Sequence, residues 1–166
     1  MAAKKYTVGE KRFVVIKKNE IRIFEDGTKK AATFTYPRWS NFSMYFEEIG
    51  NAVSKLIKGE EEVKLQLHVG GGWYVSVTTG YRCVDIRKFF RTRDGTNKAS
   101  RTGIALRLDE WERLKQTAGE IKQHHPKIEE AQPCWTQTDH YNQEGAFRCR
   151  ECHPFGSPFD SWFNAA

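Results

Sequence analysis

Apolar and polar positions alternate along most of "EIRIFE" (20–25), the period of two that marks a strand with one buried face, and "RFVVI" (12–16) is a short apolar run that also reads as a strand. "DGTKK" then supplies a turn, "AATFTY" (31–36) reads as another strand, and "SNFSMYFEEIGNAVSKLI" has helical spacing behind a Ser cap at Ser40. After the polar stretch "KGEEE" the order recurs. "VKLQLHV", "WYVSV", "RCVDIRKFF" and "GIALRL" are strands, the last two separated by a loop containing "DGTNK", and a helix runs from Asp109 to about Gln123. Beyond Pro126 no period of either kind is visible.

This order predicts an α+β chain built as two strand-rich repeats, each a curved antiparallel sheet followed by one helix, with an irregular C-terminal tail. The stretches Asp26–Ala31 and Asp94–Ala99 are near copies at equivalent points, which supports an internal repeat. Asp-Gly is also a common hairpin dipeptide, so two unrelated turns fit those stretches as well. The expected units are residues 1–59, a divergent sheet-plus-helix repeat; 60–126, the better-formed repeat; and 127–166, a tail containing Cys and His. In the second helix Trp111, Leu114, Ala118 and Ile121 form one apolar stripe. The first-half helix carries Trp39, Phe42, Tyr45, Phe46 and Ile49, and pairing of the two stripes within one chain is the expected architecture. A homodimer of whole chains is the alternative.

Composition narrows the function. The 166 residues include 27 Lys and Arg against 21 Asp and Glu, a formal net charge of +6, with an aromatic content of 13%. That balance favours a polyanionic partner. No apolar run approaches the ~20 residues needed to cross a bilayer, and "MAAKKYTVGEKR" lacks the apolar core of a secretory signal. The expectation is an intracellular protein without membrane contact: nuclear in a eukaryote, cytoplasmic or nucleoid-associated in a bacterial or viral setting. The cations concentrate in residues 81–101, where seven Lys and Arg face two Asp around the pair Phe89-Phe90. Cations for phosphates beside aromatic faces for bases are what a single strand requires. Alternation sends Arg87 and Phe89 to one face and Lys88 and Phe90 to the other, so one Phe is expected in the core.

From Trp73 to Ile121, "WYVSV … VDIRKFF … DG … RTGIALRLDEWERLK" resembles the single-stranded-DNA-binding domain of the Positive Cofactor Four family of transcriptional coactivators. The resemblance implies a curved four-stranded sheet backed by one helix, two such units pairing so that their sheets form channels for unpaired strands. It maps the family's basic and aromatic binding residues onto Arg87, Phe90 and Arg101, with Lys98 beside them. This chain departs from the pattern in two places. The hairpin before Asp-Ile-Arg is "TTGYR", leaving Tyr81 and Arg82, and a Phe stands where the family's aromatic pair ends in Trp. With the neighbouring Lys88, Arg91 and Arg93, these residues are the candidate nucleic-acid contacts. "EIRIFE" places acidic residues where the second half has "DIRKFF", so ligand-facing chemistry is expected to be weaker in the first half.

The tail holds the other constellation. Cys149-Arg-Glu-Cys152 has the spacing that lets two thiolates reach one tetrahedral Zn²⁺, with Cys134 and His140, or alternatively His153, to complete the set. Such an ion would be structural. Three unliganded thiols fit the same residues. The leading function is binding of single-stranded DNA, or RNA as the near variant, in transcription, replication or repair. The alternative is a protein-interaction scaffold that docks on an RNA polymerase or other large complex. Catalysis is not expected: the five His are dispersed, and "GGGW" at 70–73 lacks the Lys and Ser or Thr of a phosphate loop and reads as a bend between strands.

Overall fold

A computed structural model describes residues 4–136, 140 and 149–155. Two four-stranded antiparallel sheets follow one another along the chain, each leading into helix. The first sheet contains β1 (Lys4–Thr7), β2 (Arg12–Ile16), β3 (Glu20–Glu25) and β4 (Ala31–Thr35) in that spatial order. It leads into α1 (Tyr36–Met44) and α2 (Phe46–Lys58). The second contains β5 (Lys64–Gly70), β6 (Trp73–Thr78), β7 (Cys83–Arg91) and β8 (Asn97–Arg107), again in sequential order, and leads into α3 (Leu108–His124). The α+β class and the sheet-then-helix plan are as the sequence predicts.

Several elements differ from that reading for local reasons. β1 makes the first sheet four-stranded rather than three-stranded. It is short, and only Tyr6 of its residues is buried, so alternation could not reveal it. The first helix begins a turn before Ser40, because the Thr35 hydroxyl accepts the Arg38 N–H at 3.2 Å and Pro37 pre-sets the opening turn. Ser40 is an interior residue of that helix. The single expected helix is broken at Tyr45, where φ −92° and ψ 1° depart from helical values and the Tyr45 N–H bonds back to Phe42 O. After Pro126 the chain forms α4 (Pro126–Glu130), too short for periodicity to register, which buries Ile128 to 4% exposure. The loop around "DGTNK" is shorter than the sequence suggests: Arg91 still belongs to β7 and Asn97 already to β8, which leaves 92–96 as the turn.

The buried side chains of both halves form one continuous core, including Val14, Ile23 and Phe34 of the first sheet, Val75, Ile86 and Ile104 of the second, and Trp111, Leu114 and Ile121 of α3. The helices of the two halves touch through aromatic side chains. The Phe46 and Trp111 rings stand edge-to-face at 5.3 Å, with Phe42 6.2 Å from Trp111, an arrangement aromatic pairs favour. Beside them, Arg12 of β2 pairs with the buried Glu110 of α3 at 3.1 Å and with Glu25 at 3.3 Å. Glu110 also accepts the Arg107 N–H at 2.9 Å, capping α3. Tyr6 and Lys4 reach His124 at the far end of α3, at 3.1 and 2.9 Å. The first half is thus fixed along the whole length of the second half's helix.

Candidate nucleic-acid interface and metal centre

The second sheet has an inner face, Val75, Val77, Val84, Ile86, Ile104 and Leu106, and an outer face set by the same alternation. On the outer face His68, Tyr74 and Arg87 are opposite one another in the register. His68 and Tyr74 have ring centroids 4.8 Å apart, and Tyr74 and Phe89 4.7 Å. Three aromatic rings on three strands therefore form a row. Burial holds the His68 pKa below the ordinary imidazole value, partly offset by the Glu151 carboxylate. The neutral ring accepts the Gly72 N–H at 3.1 Å.

Past Arg87 the β7–β8 hairpin changes register: Arg87 is opposite Gly103, but Phe89 is opposite Ala99, so Ser100 to Thr102 bulge against Lys88. Gly103 permits this, since a side chain there would place its Cβ 2.4 Å from Ile86 O. The Arg87 guanidinium fills the bulge. It pairs with Asp85 at 2.9 Å and donates to the Ser100 and Arg101 carbonyls at 3.2 and 3.3 Å. Arg87 therefore braces the hairpin, whereas Lys88, Arg91, Arg93, Lys98 and Arg101 are exposed. At the tip, Asp94 accepts the Thr92 hydroxyl and the Thr96 N–H (3.0 Å), and these bonds hold its carboxyl below the ordinary aspartate range.

Neither hairpin Phe enters the core, contrary to the alternation argument. Phe89 joins the aromatic row and Phe90 is 46% exposed, because the hairpin projects past Ile86, the last inner-face residue of β7 that is buried. Tyr81, 67% exposed, and Arg82 sit in the β6–β7 connection at the opposite end of β7. At about 3.3 Å per residue, Arg82 and Arg91 are roughly 30 Å apart. The candidates thus fall into a hairpin group, Lys88 to Arg101, and a separate pair at Tyr81 and Arg82. His68 and Tyr74 were missed in the sequence. Their signal is cross-strand register, which a linear reading does not contain.

The second constellation closes on itself. Cys134, His140, Cys149 and Cys152 each bring a ligand atom within 4.8 Å of the others, an arrangement that can hold a metal ion. Cys134 Sγ is 3.4 Å from Cys152 Sγ, which is 3.3 Å from His140 Nε2. In a tetrahedral zinc site, with Zn–S of about 2.3 Å and Zn–N of about 2.0 Å, neighbouring ligand atoms are about 3.5–3.8 Å apart. Burial, together with the adjacent Cys152 and Cys149, drives the Cys134 pKa far upward. A cation among the sulfurs would remove that conflict. His153, the alternative ligand, lies outside this group; its N–H bonds to Cys149 O at 2.8 Å.

The Cys149–Cys152 knuckle is clasped to the rest of the chain. Glu151 accepts a two-pronged pair from Arg38 of α1, at 2.7 and 2.9 Å, while its carbonyl accepts the Gly71 N–H at 2.8 Å. This explains the glycine run. Gly70 and Gly71 have φ +127° and +61°, and a Cβ on either would strike the Glu151 carboxylate or the Arg38 guanidinium. Phe155 then lies 5.5 Å from the Arg91 guanidinium, beside the basic hairpin.

Residues 75–117, about a quarter of the chain, match the family model described as Transcriptional Coactivator p15 (PC4). The match runs from β6 through the bulged hairpin into α3, the stretch on which the family resemblance rests. The second half thus carries a PC4-like segment. No curated protein and no solved structure matches the chain. Among the described residues no helix is long and apolar enough to cross a membrane.

Proposed function

We propose that the chain binds single-stranded DNA along the outer face of its second sheet and acts, without catalysis, where transcription, replication or repair holds strands apart. The observation that carries this reading is the ring row His68–Tyr74–Phe89 leading into a hairpin of exposed cations and Phe90. Bases stack on the rings and on Phe90 while Lys88, Arg91, Lys98 and Arg101 meet phosphates. Arg87 holds the hairpin in shape, and Tyr81 and Arg82 meet the strand at the other end of β7. The match to a transcriptional coactivator family supports the assignment. The same chemistry admits single-stranded RNA.

Two further assignments go with it. The halves act as an internal pair of sheets, so the intact chain is a monomer, a reading supported by their common strand order and shared core. Cys134, His140, Cys149 and Cys152 hold a structural Zn²⁺ that fixes the knuckle. The binding assignment is tested with Lys98→Ala and Arg101→Ala. Each should weaken binding to a mixed-sequence single strand and flatten the dependence of log K on log[salt] by about 0.7. Unchanged slopes in both variants would place the strand elsewhere.

A further inference from the structure

The first sheet has an outer face too, and its composition is not what the linear sequence suggests. Register places Thr7, Phe13, Phe24 and Ala31 in one row across the four strands and Lys5, Val15, Arg22 and Thr33 in the next. Phe13 and Phe24 lie ring to ring at 5.8 Å, both only partly buried. Lys5 Nζ stands 3.9 Å from the Phe13 ring centre and 5.9 Å from that of Phe24, while the Arg22 guanidinium is 5.5 Å from Phe24. The acidic residues of "EIRIFE", which implied weak ligand chemistry, stand at the strand ends and are engaged elsewhere. Glu20 pairs with Lys17 at 3.6 Å, and Glu25 with Arg12 at 3.3 Å and Lys30 at 4.0 Å. What remains at the centre of the face is two rings and two cations.

We infer that this face is a second binding surface for single-stranded nucleic acid, formed by Phe13, Phe24, Lys5 and Arg22. The inference rests on the proposed function of the other sheet and extends it to residues outside the family match. The occupant follows from charge and shape. Residues 4–35 hold nine Lys and Arg against four Asp and Glu, so the sheet attracts a polyanion. Adjacent ring faces suit unpaired bases, which a duplex keeps stacked inside. Lys5 now covers the Phe13 ring with an ammonium on a flexible stem; an arriving base takes the ring and leaves the ammonium to a phosphate. Structurally the row mirrors the second sheet, where Tyr74 on the second strand and Arg87 on the third occupy the positions that Phe13 and Phe24 hold here.

The experiment uses the full chain and an oligodeoxythymidylate of about 30 nucleotides. Phe13→Leu/Phe24→Leu keeps apolar bulk but removes the π faces, and should weaken binding about tenfold, within the range measured for lost base stacking. Lys5→Gln/Arg22→Gln should reduce the salt slope by about 1.4, two phosphates on a single strand. Ultraviolet cross-linking of the wild-type complex should mark peptides containing Phe13 or Phe24, a readout that does not depend on how the variants fold. Cross-links confined to the second sheet, with both variants binding like wild type, would overturn the inference and leave the proposed function standing. Wild-type protein that does not bind the oligonucleotide would overturn both.

Discussion

Arg12 is the residue on which the union of the two halves can be tested most sharply. Its guanidinium serves Glu25 on its own sheet and Glu110 on α3, and donates to Ala105 O of β8. The Arg12 and Glu110 side chains are 14% and 8% exposed, so Arg12→Ala strands a carboxylate where water reaches poorly. Removing one partner of a buried pair costs about 3–5 kcal/mol, and the residual exposure of Arg12 argues for the lower end. Against a total stability of about 5–15 kcal/mol, a loss of ~3 kcal/mol is large. It should lower Tm by about 6–12 °C for a chain of this size. Differential scanning calorimetry should show one cooperative transition before and after the change, since both halves share a core. Adding Glu110→Gln should recover part of the loss by neutralising the stranded charge while keeping an oxygen for the Arg107 N–H. A single variant melting within about 2 °C of wild type, or two separate transitions in the wild-type trace, would refute the reasoning.

Three other outcomes are expected. Metal analysis of protein purified without chelator should find about one zinc per chain, and Cys149→Ser should abolish it; a metal-free wild type with freely reacting thiols would remove the site. Glu151→Gln should loosen the knuckle from Arg38 and the glycine turn, seen as faster proteolysis of the C-terminal region with zinc retained; an unchanged cleavage pattern would mean the clasp holds nothing. Asp94, whose carboxyl the Thr92 hydroxyl and the Thr96 N–H depress below its ordinary value of 3.8, favours the folded hairpin tip above that pH. That contribution should fade as pH falls through the lower folded value. The Thr96 amide resonance should titrate with its midpoint below 3.8, and a midpoint above it would contradict the bond.

The sheets were legible because alternate residues of β2, β3, β6 and the first half of β7 are buried, as strands with one covered face require. The stripe of Trp111, Leu114 and Ile121 read equally well, since α3 packs along one side only. What the linear chain hid was set by partners distant in sequence. Nothing near Gly70 foretells that Glu151 will sit against it, and nothing in "DIRKFF" says that Arg87 will be consumed by a bulge in β8. Phe13 and Phe24 read as ordinary strand residues, and only the β2–β3 register sets them side by side. The Cys149–Cys152 spacing announced a metal-type pair, but the choice of His140 over His153 depends on how the chain returns to Cys134. Local patterns therefore yielded the elements, while the site was written in cross-strand register and long-range contact.

Preference for unpaired strands is what separates a strand-binding surface from a general cationic patch. Fluorescence anisotropy with a labelled mixed-sequence single strand of about 20 nucleotides, competed by the same strand unlabelled, by its duplex and by the matching RNA at moderate salt, measures this in one experiment. The ring faces of His68, Tyr74, Phe89 and Phe90 have no counterpart to stack on in a closed duplex. Unlabelled single strand should therefore displace the probe at a concentration about tenfold or more below that needed of duplex, as loss of one or two stacked bases requires. Equal competition by duplex and single strand would reduce the surface to a nonspecific cationic patch and contradict the assignment.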